Sequence, residues 1–298
     1  MLKQLIKAFP PLKRHLSGVQ AVVAERDALR LDRDALRQER DALNQERAAL
    51  SQDRDALRLD LARLQVTPGS FVTPSEVPVL LPEQQEVVDR FHDLYYQTWD
   101  NDHVRLNVGW LGYRTYKCPL DMWAYQEMLV EQRPDVIIET GTCFGGSALF
   151  LANICDLLGH GRVISVDLAQ RDGLPEHPRI TYLVGSSTDP AIIERIRQDV
   201  PAGTKTMVVL DSDHSRAHVH QECRLYQQFV QVGGYMVVED TNVNGHPTFA
   251  AHGPGPMEGM EDFLAETTEF VSDPARERFL LTMNPKGYLR RTQAGGQR

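Results

Sequence analysis

The chain has 298 residues and a mass of 33.7 kDa, more than one average domain and less than two large ones, so one catalytic-size domain with an accessory segment is expected. Apolar residues make up 42% and charged residues 24%, which leaves enough apolar surface for a core and excludes wholesale disorder. Lys and Arg total 32 against 41 Asp and Glu, and a net charge of −9 repels phosphate backbones, so nucleic acid is not an expected partner.

Residues 1–20 read as a basic amphipathic arm, with Leu2, Leu5, Ile6 and Phe9 among Lys3, Lys7, Lys13 and Arg14. Such an arm either docks its apolar face on a partner, the favoured reading, or makes peripheral contact with an anionic membrane. Residues 21–65 carry a repeat of period seven. Copies of Arg-Asp-Ala-Leu begin at Arg26, Arg33, Arg40 and Arg54, so Leu29, Leu36, Leu43, Leu50, Leu57 and Leu64 share one stripe of a long predicted helix. With leucine at d, the a positions hold Arg33, Arg40, Arg47 and Arg54, where a strong two-stranded coil wants Val or Ile. The segment is therefore either a marginal coiled coil that makes a homo-oligomer, the favoured reading, or a lone charged helix laced by pairs such as Arg30 with Asp34.

Residues 66–82, with Pro68, Pro74, Pro78 and Pro82, read as a linker, and 83–298 as the catalytic domain. Helices are predicted over 82–98 and 121–132, with an ordered loop rich in glycine and aromatic residues over 101–119. From Pro134 onward, short apolar runs at 135–139, 162–167, 180–184, 206–210 and 234–239 alternate with helices that reach Leu158 and span 191–200 and about 217–231. This order predicts an α/β domain with a Rossmann-like, doubly wound, mostly parallel sheet. The stretch 245–261, with Gly253-Pro-Gly-Pro256, reads either as a lid or as a rigid surface loop.

Cys118, Cys143, Cys155 and Cys223 are scattered with no CxxC pair, which suggests reduced thiols and a cytoplasmic setting. No run reaches the roughly 18 apolar residues a spanning helix needs, and the N-terminus lacks the apolar core of a signal peptide.

Ligands bind such sheets at the carboxyl ends of the strands, near the point where strand order reverses. The first strand ends in the loop Glu139-Thr-Gly-Thr-Cys-Phe-Gly-Gly-Ser147. Its glycines allow close approach of backbone to a ligand, and the next helix offers free N–H groups. The GxGxxG spacing is absent, which favours a nucleoside over a dinucleotide and argues against a dehydrogenase. The candidate cofactor contacts are Glu139, Gly141, Thr142, Gly145 and Ser147 from this loop, with Asp167, Ser186 and Asp211 from the next strand ends. An acid at Asp167 can accept both hydroxyls of a ribose, or cap a helix.

The fourth strand ends Asp211-Ser-Asp-His-Ser215 and the fifth Glu239-Asp-Thr-Asn242. If those strands are neighbours, Asp211, Asp213, Glu239 and Asp240 converge, and so much negative charge demands a cation or raised pKa values. All-oxygen donors favour Mg²⁺ over zinc. His214 stands where a general base reaches a substrate hydroxyl, while His218 and His220 are expected on the solvated side of a helix.

These stretches resemble the class I S-adenosylmethionine-dependent methyltransferases and, within them, the cephalosporin-hydroxylase family, which includes rhamnosyl O-methyltransferases. The resemblance rests on Trp123-Ala-Tyr-Gln126, the run from Ile138 to Ala152, Leu210-Asp-Ser-Asp-His-Ser215, the run from Val238 to Pro247, and Gly253-Pro-Gly-Pro256. It extends from about residue 82 to 291, leaving the period-seven segment outside. It implies that Glu139, Gly141 and Asp167 contact S-adenosylmethionine and that Asp211, Glu239 and Asp240 hold Mg²⁺, with Asp213 kept as an alternative to Asp211. It also implies that His214 is the base. The expected reaction is Mg²⁺-assisted O-methylation of a small-molecule or glycosylated acceptor: a sugar, glycolipid or secondary metabolite. The alternatives are an oxygenase, as the family label suggests, and a non-catalytic assembly protein recruited through the period-seven helix.

Overall fold

The computed structural model describes residues 23, 25–27, 29, 33, 35–47, 79–100 and 108–293. The chain divides into two units, Met1–Thr73 and Pro74–Arg298. In the first, 35–47 form continuous helix, and Leu29, Leu36 and Leu43 are exposed. The arm 1–20, the other parts of the period-seven segment 21–65 and most of the linker 66–82 lie outside the described residues. Among the described residues, no helix is long and apolar enough to cross a membrane.

The second unit opens with α1 (Pro82–Asp100), a short hairpin of β1 (Gly109–Trp110) and β2 (Tyr113–Arg114), and α2 (Pro119–Gln132). Then follow β3 (Val136–Thr140), α3 (Gly146–Leu158), β4 (Arg162–Asp167), β5 (Ile180–Val184), α4 (Pro190–Asp199), β6 (Thr206–Leu210), α5 (Arg216–Tyr226) and β7 (Tyr235–Val238). The sheet has seven strands in the order β5-β4-β3-β6-β7-β9-β8, the last two being β9 (Tyr288–Arg291) and β8 (Phe270–Ser272). Strands β5 to β7 pair in parallel, whereas β9 runs antiparallel to β7 and β8 antiparallel to β9. The expected mostly parallel sheet is present, with an antiparallel edge that the sequence did not announce.

Strand β3 is buried along its whole length because β4 and β6 flank it and helices cover both faces, which is why it reads as an unbroken apolar run. Alternate residues partition between two cores. Val136, Ile138, Ile164, Val208 and Met236 pack on one face with Ile193 and Ile196 of α4, Val219 and Tyr226 of α5, and Met260 and Phe263 of a sixth helix, α6 (Pro256–Glu266). Ile137, Val163, Met207 and Val237 pack on the other with Tyr125 and Leu129 of α2 and Ala148, Leu151, Ala152 and Cys155 of α3. The last four stand at i, i+3, i+4 and i+7, the stripe an amphipathic helix buries. Each fully buried Ile, Leu or Met of this set contributes about 1.5–3 kcal/mol through removal of its surface from water.

Register fixes what emerges at the carboxyl edge. Thr140 is opposite Leu210, and Leu210 is opposite Val238, so Gly141, Asp211 and Glu239 leave the sheet side by side. Chain order runs outward from β3 through β4 to β5 on one side and through β6 to β7 on the other, which puts the reversal of strand order between β3 and β6.

The structure departs from two expectations. Helix α5 ends at Tyr226 and gives way to a 3₁₀ turn, Gln227–Phe229, instead of running to 231. The stretch 245–261 is not one long glycine-rich lid. Only its first part is loop, since Pro256 starts α6, which packs along α5. Gly259 makes that packing possible, because a Cβ there would lie 2.5 Å from the Arg216 carbonyl oxygen.

Candidate active site

A cleft of about 580 Å³ opens at the reversal of strand order, a size typical of small-molecule sites. Gly141, Asp167, Ser186, Asp211, Asp213, His214, Glu239 and Asp240 all line it, so all five parallel strands contribute from their carboxyl ends. Glu139, Thr142, Gly145 and Ser147, also expected to meet a cofactor, stand behind the wall. Glu139 is fully buried and accepts a 2.6 Å hydrogen bond from Ser165 Oγ, while Thr142 Oγ1 pairs with Ser165 Oγ at 2.7 Å. Gly145 and Ser147 form the turn into α3 and its first residues. Cys143, not singled out before, faces the cleft instead.

Glycine at 141 is also demanded by the chain's own packing. Its φ is +87°, and a Cβ would lie 1.7 Å from the carbonyl oxygen of Asp211, so the close approach is between the loop and the end of β6. Asp167 steadies the same loop by accepting the Cys143 backbone N–H at Oδ2, 2.8 Å, while still facing the cleft.

The acids sort into two groups. Asp211, His214 and Asp240 each offer an atom within 4.8 Å of the others. His214 Nε2 is 3.2 Å from Asp211 Oδ1 and Nδ1 is 3.3 Å from Asp240 Oδ2. Asp240 takes a left-handed backbone, φ +55°, held by a 3.0 Å bond from its N–H to Asn284 Oδ1. Glu239 points deeper and accepts from the Tyr125 hydroxyl, which bonds Oε1 at 2.6 Å. Asp213 does not join either group: its Oδ1 accepts the Ser215 N–H at 2.8 Å, an Asx turn at the start of α5.

Sequence reasoning missed Lys117. Its side chain is 4% exposed, and Nζ lies 2.5 Å from Asp211 Oδ2 and 2.6 Å from Glu239 Oε1. The one available signal was compositional: Lys117 is the only lysine between Lys13 and Lys205 in a chain that otherwise uses arginine. His218 was also misjudged. It lines the cleft, where Nε2 is 3.0 Å from Ser187 Oγ and 3.1 Å from Ser212 Oγ, and only His220 turns outward, to Glu266 at 2.9 Å.

The charge balance follows from these contacts. Burial alone would strip Lys117 of its proton, but Asp211, Glu239 and Glu139 hold its pKa above the usual value. Burial works against Asp211 too, yet Lys117 and His214 keep that carboxyl below its normal range. Burial, reinforced by Asp211, lifts Glu239 and Asp240 above theirs. Burial opposes a charge on His214, but Asp240 and Asp211 outweigh it and push the imidazole up to about 9. With Lys117 and His214 in place, burial still leaves the Glu239 and Asp240 carboxyls raised, so both would gain from a further cation. Asp211 and Asp240 lie within reach of one ion and Glu239 lines the same cleft, an all-oxygen carboxylate set that fits a divalent ion such as Mg²⁺.

Comparison with known proteins gives these observations a context. Residues 102–292 match the family model described as Rhamnosyl O-methyltransferase/CmcI. A rhamnosyl O-methyltransferase of Mycobacterium leprae is 39% identical over 211 residues, spanning 68% of this chain and 90% of that protein. One from Mycobacterium tuberculosis H37Rv is 38% identical over 212 residues, spanning 68% and 84%. Among solved structures, CmcI with Mg and SAM has the same fold, with a TM-score of 0.50 at 22% identity over 62% of this chain and 77% of that one. On the strength of the matched span and of the identity to the mycobacterial enzymes, the chain belongs to the rhamnosyl O-methyltransferase/CmcI family.

Proposed function

We propose that the protein is an S-adenosylmethionine-dependent, Mg²⁺-assisted O-methyltransferase acting on a hydroxyl of a sugar, glycolipid or secondary metabolite. The observation that carries this reading is the convergence of Asp211, Glu239 and Asp240 on one cleft that Asp167 also faces. Its relatives support it: the mycobacterial proteins are named rhamnosyl O-methyltransferases, and one CmcI structure is described as holding Mg and SAM.

Asp211, Glu239 and Asp240 would hold the cation, with Asp213 as the remaining acid at the rim, and Gly141, Asp167, Ser186 and Asp211 would meet the cofactor. When bound, S-adenosylmethionine supplies the electrophilic methyl group and the cation polarises the acceptor hydroxyl. Asp167 is suited to the ribose, since Oδ1 carries only a long contact of 3.4 Å from the Ala169 N–H. Asp211 and Asp240 hold His214 by one ring nitrogen each. Once neutral and released from one of these carboxylates, the imidazole would keep its N–H on the other and turn the freed nitrogen to the acceptor proton, the role of a general base. The cleft would fix both partners side by side and so supply proximity.

An oxygenase reading finds no support in the donor set. The cluster has one histidine and two carboxylates, whereas a non-heme iron site is built on two histidines and one carboxylate. The exposed Leu29, Leu36 and Leu43 support weak self-association of the period-seven segment, which light scattering of the full chain beside a chain starting at Pro74 would test. The enzymatic reading is tested by titration calorimetry with S-adenosylmethionine, with and without Mg²⁺, followed by transfer of a labelled methyl group to rhamnosyl acceptors. A protein indifferent to both cofactor and metal refutes it.

A further inference from the structure

Lys117 reaches the acids from outside the parallel sheet. It lies in the segment between β2 and α2, directly before Cys118, which precedes the first turn of α2, and Pro119, which opens that turn. Two elements hold this segment in place. The Thr115 N–H bonds the Val108 carbonyl at 3.0 Å, and the backbone at Arg114 presses so closely on Gly146 that a Cβ there would lie 2.2 Å from the Arg114 carbonyl oxygen. The lysine is therefore delivered on a fixed stalk.

Its ammonium touches one oxygen of each of two acids on neighbouring strands, Asp211 Oδ2 and Glu239 Oε1. Tyr125 donates to the same Glu239 oxygen, and Asn284 Nδ2 in turn donates to the Tyr125 hydroxyl at 3.2 Å. The other Asp211 oxygen, Oδ1, faces His214, and Asp211, His214 and Asp240 form the group whose donor atoms lie within 4.8 Å of one another. With His214 neutral, three carboxylates and one ammonium carry a formal charge of −2, which matches one divalent ion.

We propose that Lys117 is a positioning residue for the cation site. It clamps the inner oxygens of Asp211 and Glu239, so that their outer oxygens and Asp240 present a fixed edge to the cleft, and it trims the charge of that edge to that of a single divalent ion. Fixed ligand orientation by a hydrogen-bonding shell is worth about 10- to 100-fold in metal affinity at known sites. The proposal rests on the metal-assisted reading above.

The test uses Mn²⁺ as the probe on the full chain, read by its electron paramagnetic resonance spectrum and by the affinity it yields, with S-adenosylmethionine affinity measured separately without metal. In K117M, Mn²⁺ binding is expected to weaken about 10- to 100-fold and the bound spectrum to change, while S-adenosylmethionine affinity falls far less. An affinity for Mn²⁺ that is unchanged, or raised because the lysine had merely stood where the ion belongs, overturns the clamp. Equal loss of both affinities marks general damage to the cleft and overturns it as well. Should K117M not fold, K117R decides: a shifted Mn²⁺ spectrum supports the clamp and an unchanged one refutes it. A parent protein that binds no Mn²⁺ removes the metal-assisted reading itself, and the clamp with it.

Discussion

The Tyr125 hydroxyl donates a 2.6 Å hydrogen bond to Glu239 Oε1, tying the buried face of α2 to the carboxyl end of β7 across 114 residues of sequence. Both groups are buried, so the bond is shielded from bulk water. Tyr125→Phe keeps the ring in its core but leaves Asn284 Nδ2 without its partner and Glu239 with one donor fewer. Loss of one buried hydrogen bond to a charged group costs about 1–3 kcal/mol. Urea unfolding of parent and variant should show that loss; equal midpoints would mean that the bond carries no net stability.

His214 links protonation to metal binding. Its pKa is pushed up to about 9 by Asp240 and Asp211 against burial, from an ordinary 6.5. A raised histidine pKa stabilises the metal-free fold fully below 6.5, and that contribution fades as pH rises through about 9. Cation binding at the same acids competes with the proton, so Mg²⁺ affinity is expected to rise with pH up to about 9, with release of about one proton near neutrality. Calorimetry in buffers of different ionisation heat reads that proton directly, and a binding heat independent of buffer would contradict the linkage. His214→Ala should lower turnover by about 10²–10⁴ while sparing S-adenosylmethionine affinity, as befits a general base.

How far the sequence revealed this site depends on the distance over which each contact acts. The parallel strands were legible because burial on both faces makes each an unbroken apolar run, and Asp211 and Glu239 followed from the strand ends once β6 and β7 were neighbours. Strands β8 and β9 were not, since three and four residues at a sheet edge, ending in Arg290 and Arg291, carry no apolar run. Helix α6 was hidden behind Gly253 and Gly255, although Pro256 at its first position and Glu258 in its first turn are ordinary start signals. Lys117 was illegible for a deeper reason. Its partners lie 94 and 122 residues onward, and no local pattern encodes which loop will fold over a sheet edge.

Strong acid should weaken the anchoring of the loop beside the cleft by protonating Glu258. Glu258 Oε1 takes donors from Asn244 Nδ2 at 2.8 Å and His246 Nε2 at 2.9 Å, and Oε2 accepts the Gly255 N–H at 2.6 Å. Burial opposes its charge, but these bonds hold its pKa down to about 2, below an ordinary 4.5. A depressed carboxyl pKa contributes stability that is present above 4.5 and lost as pH falls through about 2. Glu258→Gln should therefore be less stable than the parent at neutral pH, and the gap should close between pH 4.5 and 2. Thermal melts of the two proteins across that range check it, and a gap constant with pH would show that the carboxylate charge is not what holds the loop.

The tightest point of the site is Gly141, and it yields the most severe expectation. A Cβ there would stand 1.7 Å from the carbonyl oxygen of Asp211, and the backbone sits at φ +87°, where any side chain is strained. Gly141→Ala must therefore move either the loop or the end of β6, and the second choice displaces Asp211 from Lys117 and His214 together. Steric overlap of this depth with backbone cannot be relieved by a rotamer change, so a loss of more than about 3 kcal/mol is expected. Where the variant still folds, Mg²⁺ and S-adenosylmethionine affinities should fall together, because the loop that faces the cofactor and the strand that carries the acid meet at that one contact. Calorimetric titration with each ligand separates the cases: loss of only one of the two affinities would show that loop and strand end move independently.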